Sequence, residues 1–240
     1  MQKKWIWAYV ISLHVIILLI LLKPSAAAKV HDSVAKILGY QQVNERVEYY
    51  VNSLYTFQRF QDAQMPDNQS IFLGDSLVQS LNTLNLNTPF VNFGIGNNTS
   101  ARMLNAIDTF DSKSTWKNVA VLIGINDLNA GISAEEISAN VNKIIKQLPP
   151  DTDVYLISAL PVSQERETKK PLKAQILLYN DQLVKIAQQN DNVRYIDLHN
   201  HFTTSDGFLK PAYDRGDGLH ISTKGYTVMA ALLNAEISSE

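Results

Sequence analysis

From residue 69 onward, short apolar runs alternate with longer segments whose apolar positions recur every three or four residues. The runs predict strands at Ser70–Leu73, Phe90–Phe93, Val119–Ile123, Val154–Ser158 and Val193–Leu198. Continuous apolar stretches of this kind, bounded by turn residues, suit strands buried on both faces. The helical periodicity predicts helices over Leu77–Thr83, Ser100–Phe110, Ala134–Gln147 and Leu172–Asn190, and a last one near Thr223–Ile237. Strands alternating with helices imply right-handed crossovers and a parallel sheet covered on both sides, so the expected class is α/β. No internal repeat, low-complexity tract or second domain interrupts the pattern. The polar loop from Pro161 to Lys170 leaves the carboxyl end of a strand, a position from which a loop can shape a substrate entrance.

Upstream the pattern changes. Val43, Val47, Tyr50, Leu54 and Phe57 fall at spacings of four, three, four and three, which puts them on one helical face. A stripe this short predicts a helix that packs that face on the core, rather than a coiled-coil seam. Trp5 to Leu22 is an unbroken stretch of 18 residues without Asp, Glu, Lys or Arg. As a helix it would be about 27 Å long, close to the hydrocarbon thickness of a bilayer. Lys3 and Lys4 precede it, and Trp5, Trp7 and Tyr9 suit an interfacial aromatic belt. The expectation is an uncleaved transmembrane anchor with its amino end in the cytoplasm and the rest of the chain outside, periplasmic or extracellular. The alternative is a signal peptide cleaved near Ala26-Ala27-Ala28, which would leave a secreted protein. The organisation expected is therefore an anchor or signal over 1–28, a juxtamembrane packing helix over 29–68 and the α/β domain over 69–240.

Composition narrows the chemistry. A chain of 240 residues suits one domain with a sizeable core once the anchor is set aside. The net charge is −2, and it becomes −5 without Lys3, Lys4 and Lys23, so neither nucleic acid nor an anionic headgroup is a natural partner. Cysteine is absent, which excludes disulfides, thiolate metal sites and a lipid-modified cysteine anchor.

The chain's chemistry centres on Ile71-Phe72-Leu73-Gly74-Asp75-Ser76-Leu77, where a buried strand breaks at a glycine and delivers a serine to the start of a helix. Open α/β sheets bind ligands at that carboxyl edge, and the helix N–H groups there favour developing negative charge. The plainer reading is a helix start capped by Asp75 or Ser76. A nucleophilic serine needs a base, and imidazole is the usual one near neutral pH. His14 and His31 lie in or beside the anchor. Asp197, His199 and His201 alternate along a strand end and admit a metal-ligand reading, although a polar loop after the strand accounts for them better. His220 is the better base. It sits three residues after Asp217 in a glycine-rich loop, where the carboxylate can fix its tautomer. Donors for an oxyanion are available at two further strand ends, the Gly94 N–H and the Asn126 side chain. Gly94-x-Gly96 also hints at a dinucleotide loop, but position 99 is threonine where the third glycine would stand.

In this order, Gly74-Asp75-Ser76, Gly94, Gly124-x-Asn126-Asp127 and Asp217-x-x-His220 resemble the four blocks of the SGNH (GDSL-type) hydrolases. Gly225-Tyr226 after Asp217-Gly218-Leu219-His220-Ile221 strengthens the resemblance, which covers about Gln69 to the C-terminus. The resemblance implies a three-layer α/β/α sandwich of flavodoxin-like type with a five-stranded parallel sheet. It implies Ser76 as nucleophile, His220 as base and Asp217 as its orienting acid, with Ser76 N–H, Gly94 N–H and the Asn126 side chain as the oxyanion hole. No metal and no organic cofactor is implied. The expected activity is hydrolysis of acyl esters, short-chain or acetyl, on a small-molecule, glycan or lipid substrate. Transfer of the same acyl group to a cell-envelope glycan is the nearest alternative, and a non-catalytic binding module a more distant one. The G-x-S-x-G elbow of α/β-hydrolases is absent.

Overall fold

Five short strands, β1 (Ser70–Gly74), β2 (Phe90–Gly94), β3 (Asn118–Leu122), β4 (Asp153–Ile157) and β5 (Val193–Ile196), form one sheet. Every pairing is parallel, and the spatial order is β2-β1-β3-β4-β5, the flavodoxin-like order. The structure is a computed structural model and describes residues 45–237 together with Trp5, Trp7 and residues 9–14. Most of the expected anchor, Trp5–Leu22, and Val43 of the expected stripe lie outside the described residues. Among those described, no helix is long and apolar enough to cross a membrane.

From residue 45 onward the helices are α1 (Glu45–Asp62), α2 (Ser76–Gln79), α3 (Ser100–Ile107), α4 (Ile125–Ala130), α5 (Ala134–Ile145), α6 (Gln164–Lys169), α7 (Lys173–Gln188), α8 (His199–Phe202) and α9 (Thr223–Glu236). Alternate strand residues feed two separate cores. Ile71, Leu73, Val119, Val121, Val154 and Leu156 pack on α3, α5 and α7, with Met103, Ile137, Val141, Ile176 and Leu183 among the partners. Phe72, Ala120, Leu122, Tyr155 and Ile157 face the other way, onto Leu77 and Val78 of α2 and Met229 and Leu233 of α9. Burial on both faces explains why the strands read as continuous apolar runs rather than as alternating ones.

The expected polar loop Pro161–Lys170 holds the helix α6, and two further elements differ in extent or facing. Helix α2 stops at Gln79 rather than Thr83, because Asn92 Nδ2 donates to the carbonyls of Val78 and Leu81 at 2.7 and 2.9 Å and holds the chain away from a further turn. In α1 the buried face is not the apolar stripe. Val51, Gln58 and Asp62 are buried and Tyr55 packs against the core, whereas Tyr50 and Phe57 are 39% and 63% exposed. Polar anchors set this rotation. Tyr55 Oη donates to Asn98 Oδ1 at 3.0 Å, and Asp62 accepts from the Ser112 N–H at 3.0 Å and from its hydroxyl.

Candidate active site

The order β2-β1-β3 places a topological switch between β1 and β3, and the crevice beyond their carboxyl ends is where such sheets bind ligands. Asp75 follows β1 directly and caps α2, its Oδ1 accepting from Leu77 N at 2.9 Å. Ser76 is therefore the first residue of the helix, with a backbone N–H that has no intrahelical acceptor. Burial pushes the Asp75 carboxyl up to about 7; the Leu77 N–H opposes the rise and the neighbouring Asp127 charge adds to it.

The base arrives from the other end of the chain. Asp214 Oδ1 accepts from Gly216 N and Gly218 N at 2.7 and 3.0 Å, and Arg215 N donates to His220 O at 2.9 Å, so residues 214–220 close into a compact turn. Gly218 has φ +75, and a side chain there would collide with Ser163, so a glycine is needed for both conformation and space. This turn carries His220 Nε2 to 2.9 Å from Ser76 Oγ and sets His220 Nδ1 2.7 Å from Asp217 Oδ2. Asp217 Oδ1 also accepts the N–H groups of Leu219 and His220, at 3.0 and 2.8 Å. Arg215 Nη2 donates to Asp217 Oδ2 at 2.8 Å. Partial burial would raise the Asp217 carboxyl, but the His220 contacts, the Leu219 N–H and Arg215 outweigh it and hold the group far below the usual carboxylate range. An ionised Asp217 fixes the proton on His220 Nδ1 and leaves Nε2 as the acceptor facing the serine.

The expected oxyanion donors do not all stand alike. Asn126 is the second residue of α4; its Nδ2 donates one hydrogen to Asn98 O at 2.9 Å, which fixes the side chain and leaves the amide a second hydrogen. Gly94 departs from the expectation. Its N–H is donated to Asn92 Oδ1 at 2.9 Å, and a Cβ on it would overlap the backbone of Val78 and Gln79. The glycine is thus required for close packing of α2 on β2, and its N–H is already engaged. The loop after it turns through Asn97, a non-glycine residue at φ +60.

Several supporting residues escaped the sequence reading. Tyr226, near the start of α9, donates its hydroxyl to Leu77 O at 3.0 Å and so ties the helix that follows His220 to the helix that begins with Ser76. Asp127, buried beside Asn126, accepts the Ser100 hydroxyl at 2.6 Å and locks α4 to α3; burial raises its carboxyl and the Ser100 bonds lower it. Arg166 of α6 donates to Asn129 Oδ1 at 3.2 Å, and Ser163 N donates to Gly218 O at 2.9 Å, which joins the expected entrance segment to the segments that carry Asn126 and His220. Tyr226, by its place after Gly225, and Asp127, by its place after Asn126, left a local signal in the sequence. The strand expected to run to Leu198 stops at Ile196, and the residues expected as a polar loop after it are helical. The chain turns there into α8, and Asp197 accepts the Asn200 N–H at 3.2 Å. Among the described residues no cluster of three His, Asp or Glu side chains is arranged to hold a metal ion.

A serine, a histidine and a carboxylate thus stand in hydrogen-bonded sequence at the carboxyl edge of a parallel sheet, with an amide at the next strand end. Residues 66–228 match the GDSL-like Lipase/Acylhydrolase family, and the chain belongs to it. A solved protein from Streptococcus pneumoniae superposes with TM-score 0.73 and 23% identity, covering 85% of this chain and 98% of the other. A GDSL-like lipase from Bacteroides thetaiotaomicron gives TM-score 0.66 and 18% identity over 78% and 97% of the two chains. Axe2, an acetylxylan esterase from Geobacillus stearothermophilus, gives TM-score 0.59 and 18% identity over 72% and 95%. The N-acylneuraminate cytidylyltransferase of Streptococcus agalactiae is 26% identical over 191 residues, 80% of this chain. The match takes in only 44% of that longer relative, so the chain spans less than half its length.

Proposed function

We propose that the protein is a serine esterase that removes short acyl groups, acetyl foremost, from a glycan or other small hydroxylated substrate. The observation that carries the reading is the relay from Ser76 Oγ through His220 to Asp217, at 2.9 and 2.7 Å. His220 Nε2 takes the Ser76 proton as Oγ attacks the ester carbonyl. The tetrahedral oxyanion is met by the Ser76 N–H and the free hydrogen of Asn126 Nδ2. His220 then gives its proton to the leaving alkoxide, and the acyl group stays on Ser76. Water, deprotonated by the same imidazole, releases the acid and restores the serine. The acetylxylan esterase among the structural neighbours supports an acetylated sugar as the substrate class.

We also propose that Trp5–Leu22 tethers the domain to a membrane and holds it outside the cytoplasm. The reading rests on the uncharged length of that stretch and the two lysines before it. The esterase reading is tested with full-length protein on p-nitrophenyl esters from acetate to octanoate, beside Ser76→Ala. Turnover confined to the wild type and falling with chain length supports it. Equal inactivity of two folded proteins sinks it, and acyl transfer to an added glycan would then replace hydrolysis. Membrane fractionation with external protease tests the tether; a domain found in the cytosol overturns it.

A further inference from the structure

The rotation of α1 leaves a groove between that helix and the open edge of the sheet. Its volume is about 570 Å³, within the range of about 300–1,000 Å³ usual for small-ligand sites. Phe57 and Phe60 stand on its α1 side and are 63% and 64% exposed. Gln58, Gln61 and Gln64 line the same wall, Gln79 closes the end nearest the catalytic residues, and none of the lining residues is charged.

Three observations say what fits there. Gln58 is only 7% exposed, yet its Oε1 has no hydrogen-bond partner. A buried carbonyl without a donor is a standing cost, which would be relieved if the Gln58 amide turned into the groove to meet an incoming hydroxyl. Second, aromatic faces interleaved with side-chain amides present both an apolar platform and donor–acceptor pairs. That is the requirement of a sugar ring, with its C–H face and its hydroxyl rim. An acyl chain has no use for the amides, and a phosphate headgroup would want a cation that the groove lacks. Third, the groove adjoins the chemistry. Gln79 is the last residue of the helix that Ser76 begins, one turn or about 5 Å along. It is held in place by Gly96 N, which donates to its Oε1 at 2.8 Å, and by its Nε2, which donates to Tyr50 Oη at 2.8 Å.

We propose that this groove is a glycan subsite. It binds neutral sugar residues of an acylated oligo- or polysaccharide whose ester group is presented to Ser76, and in that respect it rests on the esterase reading. Binding and catalysis separate in the test. Full-length protein in detergent is titrated by calorimetry with xylotetraose, cellotetraose and N-acetylated chitotetraose, all free of O-acyl groups, beside Phe57→Ala and Phe60→Ala, with thermal melts to verify folding. The expected result is saturable binding of at least one tetrasaccharide, weakened at least fivefold by each substitution. The same substitutions should lower kcat/KM for the acetylated form of that tetrasaccharide relative to p-nitrophenyl acetate by a similar factor. Absence of binding to all three overturns the proposal. So does a selective loss on p-nitrophenyl octanoate, which would mark an acyl-chain groove, or conversion of a dimer to a monomer by either substitution, which would mark a contact between copies. Sugar binding without ester turnover would keep the subsite and remove the esterase reading.

Discussion

Ser76 Oγ and His220 Nε2 lie 2.9 Å apart although 144 residues separate them in the chain. Nothing local dictates that distance. It follows from α2 starting directly after β1, from the turn at 214–220, and from the Tyr226 hydroxyl that joins α9 to Leu77 O. Ser76→Ala is expected to abolish labelling by a fluorophosphonate probe and to lower ester kcat by at least about a thousandfold, with melting temperature nearly unchanged. Activity-based labelling of the two proteins checks this, and a labelled Ser76→Ala variant would place the nucleophile elsewhere.

Tyr226→Phe removes one hydrogen bond, for a stability loss of about 1 kcal/mol. Because that bond holds the base-bearing segment against the nucleophile's helix, kcat should fall severalfold while KM stays near wild type. Steady-state kinetics of the variant decide whether Tyr226 positions the relay or only packs.

Asp217→Asn keeps the shape of the turn but supplies an amide where His220 Nδ1–H needs an acceptor. The amide nitrogen favours the tautomer with its proton on Nε2, which cannot take one from Ser76. A drop in kcat of about 10⁴-fold is expected. In the wild type the carboxyl is held far below its ordinary 3.8. The stabilisation linked to its ionised form is therefore complete above about pH 4 and disappears as pH falls below that value. Acid unfolding midpoints of wild type and Asp217→Asn should differ accordingly.

Asp75 has the opposite sign. Its carboxyl is raised from 3.8 to about 7 by burial, so between those values the folded protein keeps a proton that the unfolded chain has lost. Stability then declines as pH rises from about 4 to 7 and levels off above 7, by roughly 4 kcal/mol in all. Asn caps a helix as well as Asp does. Asp75→Asn should therefore retain the cap to Leu77 N, flatten this slope and melt higher at pH 8, which denaturation across pH 4–8 would show.

Much of the architecture was legible because its causes are local. Doubly buried strands leave unbroken apolar runs, and Gly74-Asp75-Ser76 and Asp217-x-x-His220 sit at strand and loop ends that the pattern locates. The face of α1 was not legible, since Tyr55 and Asp62 turn the helix through bonds to Asn98 and Ser112, 43 and 50 residues away. The end of α2 was hidden for a similar reason, because the Asn92 amide that halts it comes from the neighbouring strand. Patterns along one segment record its own burial preference, and they carry no mark of a polar partner supplied by another.

Gly94 and Asn126 separate packing from chemistry within one expected oxyanion hole. The Gly94 N–H is spent on Asn92, and a methyl group at Gly94 would meet backbone atoms of Val78 and Gln79, which cannot swing aside as a side chain can. Gly94→Ala must therefore push α2 off β2, and its main effect should be a lower melting temperature, with activity lost only as the fold is lost. Asn126→Ala gives up one bond to Asn98 O, worth about 1 kcal/mol, together with an oxyanion donor, worth about 10²–10³ in kcat. Melting curves and kcat measured side by side distinguish the two. A Gly94→Ala variant that melts like wild type would overturn the packing role argued for this glycine.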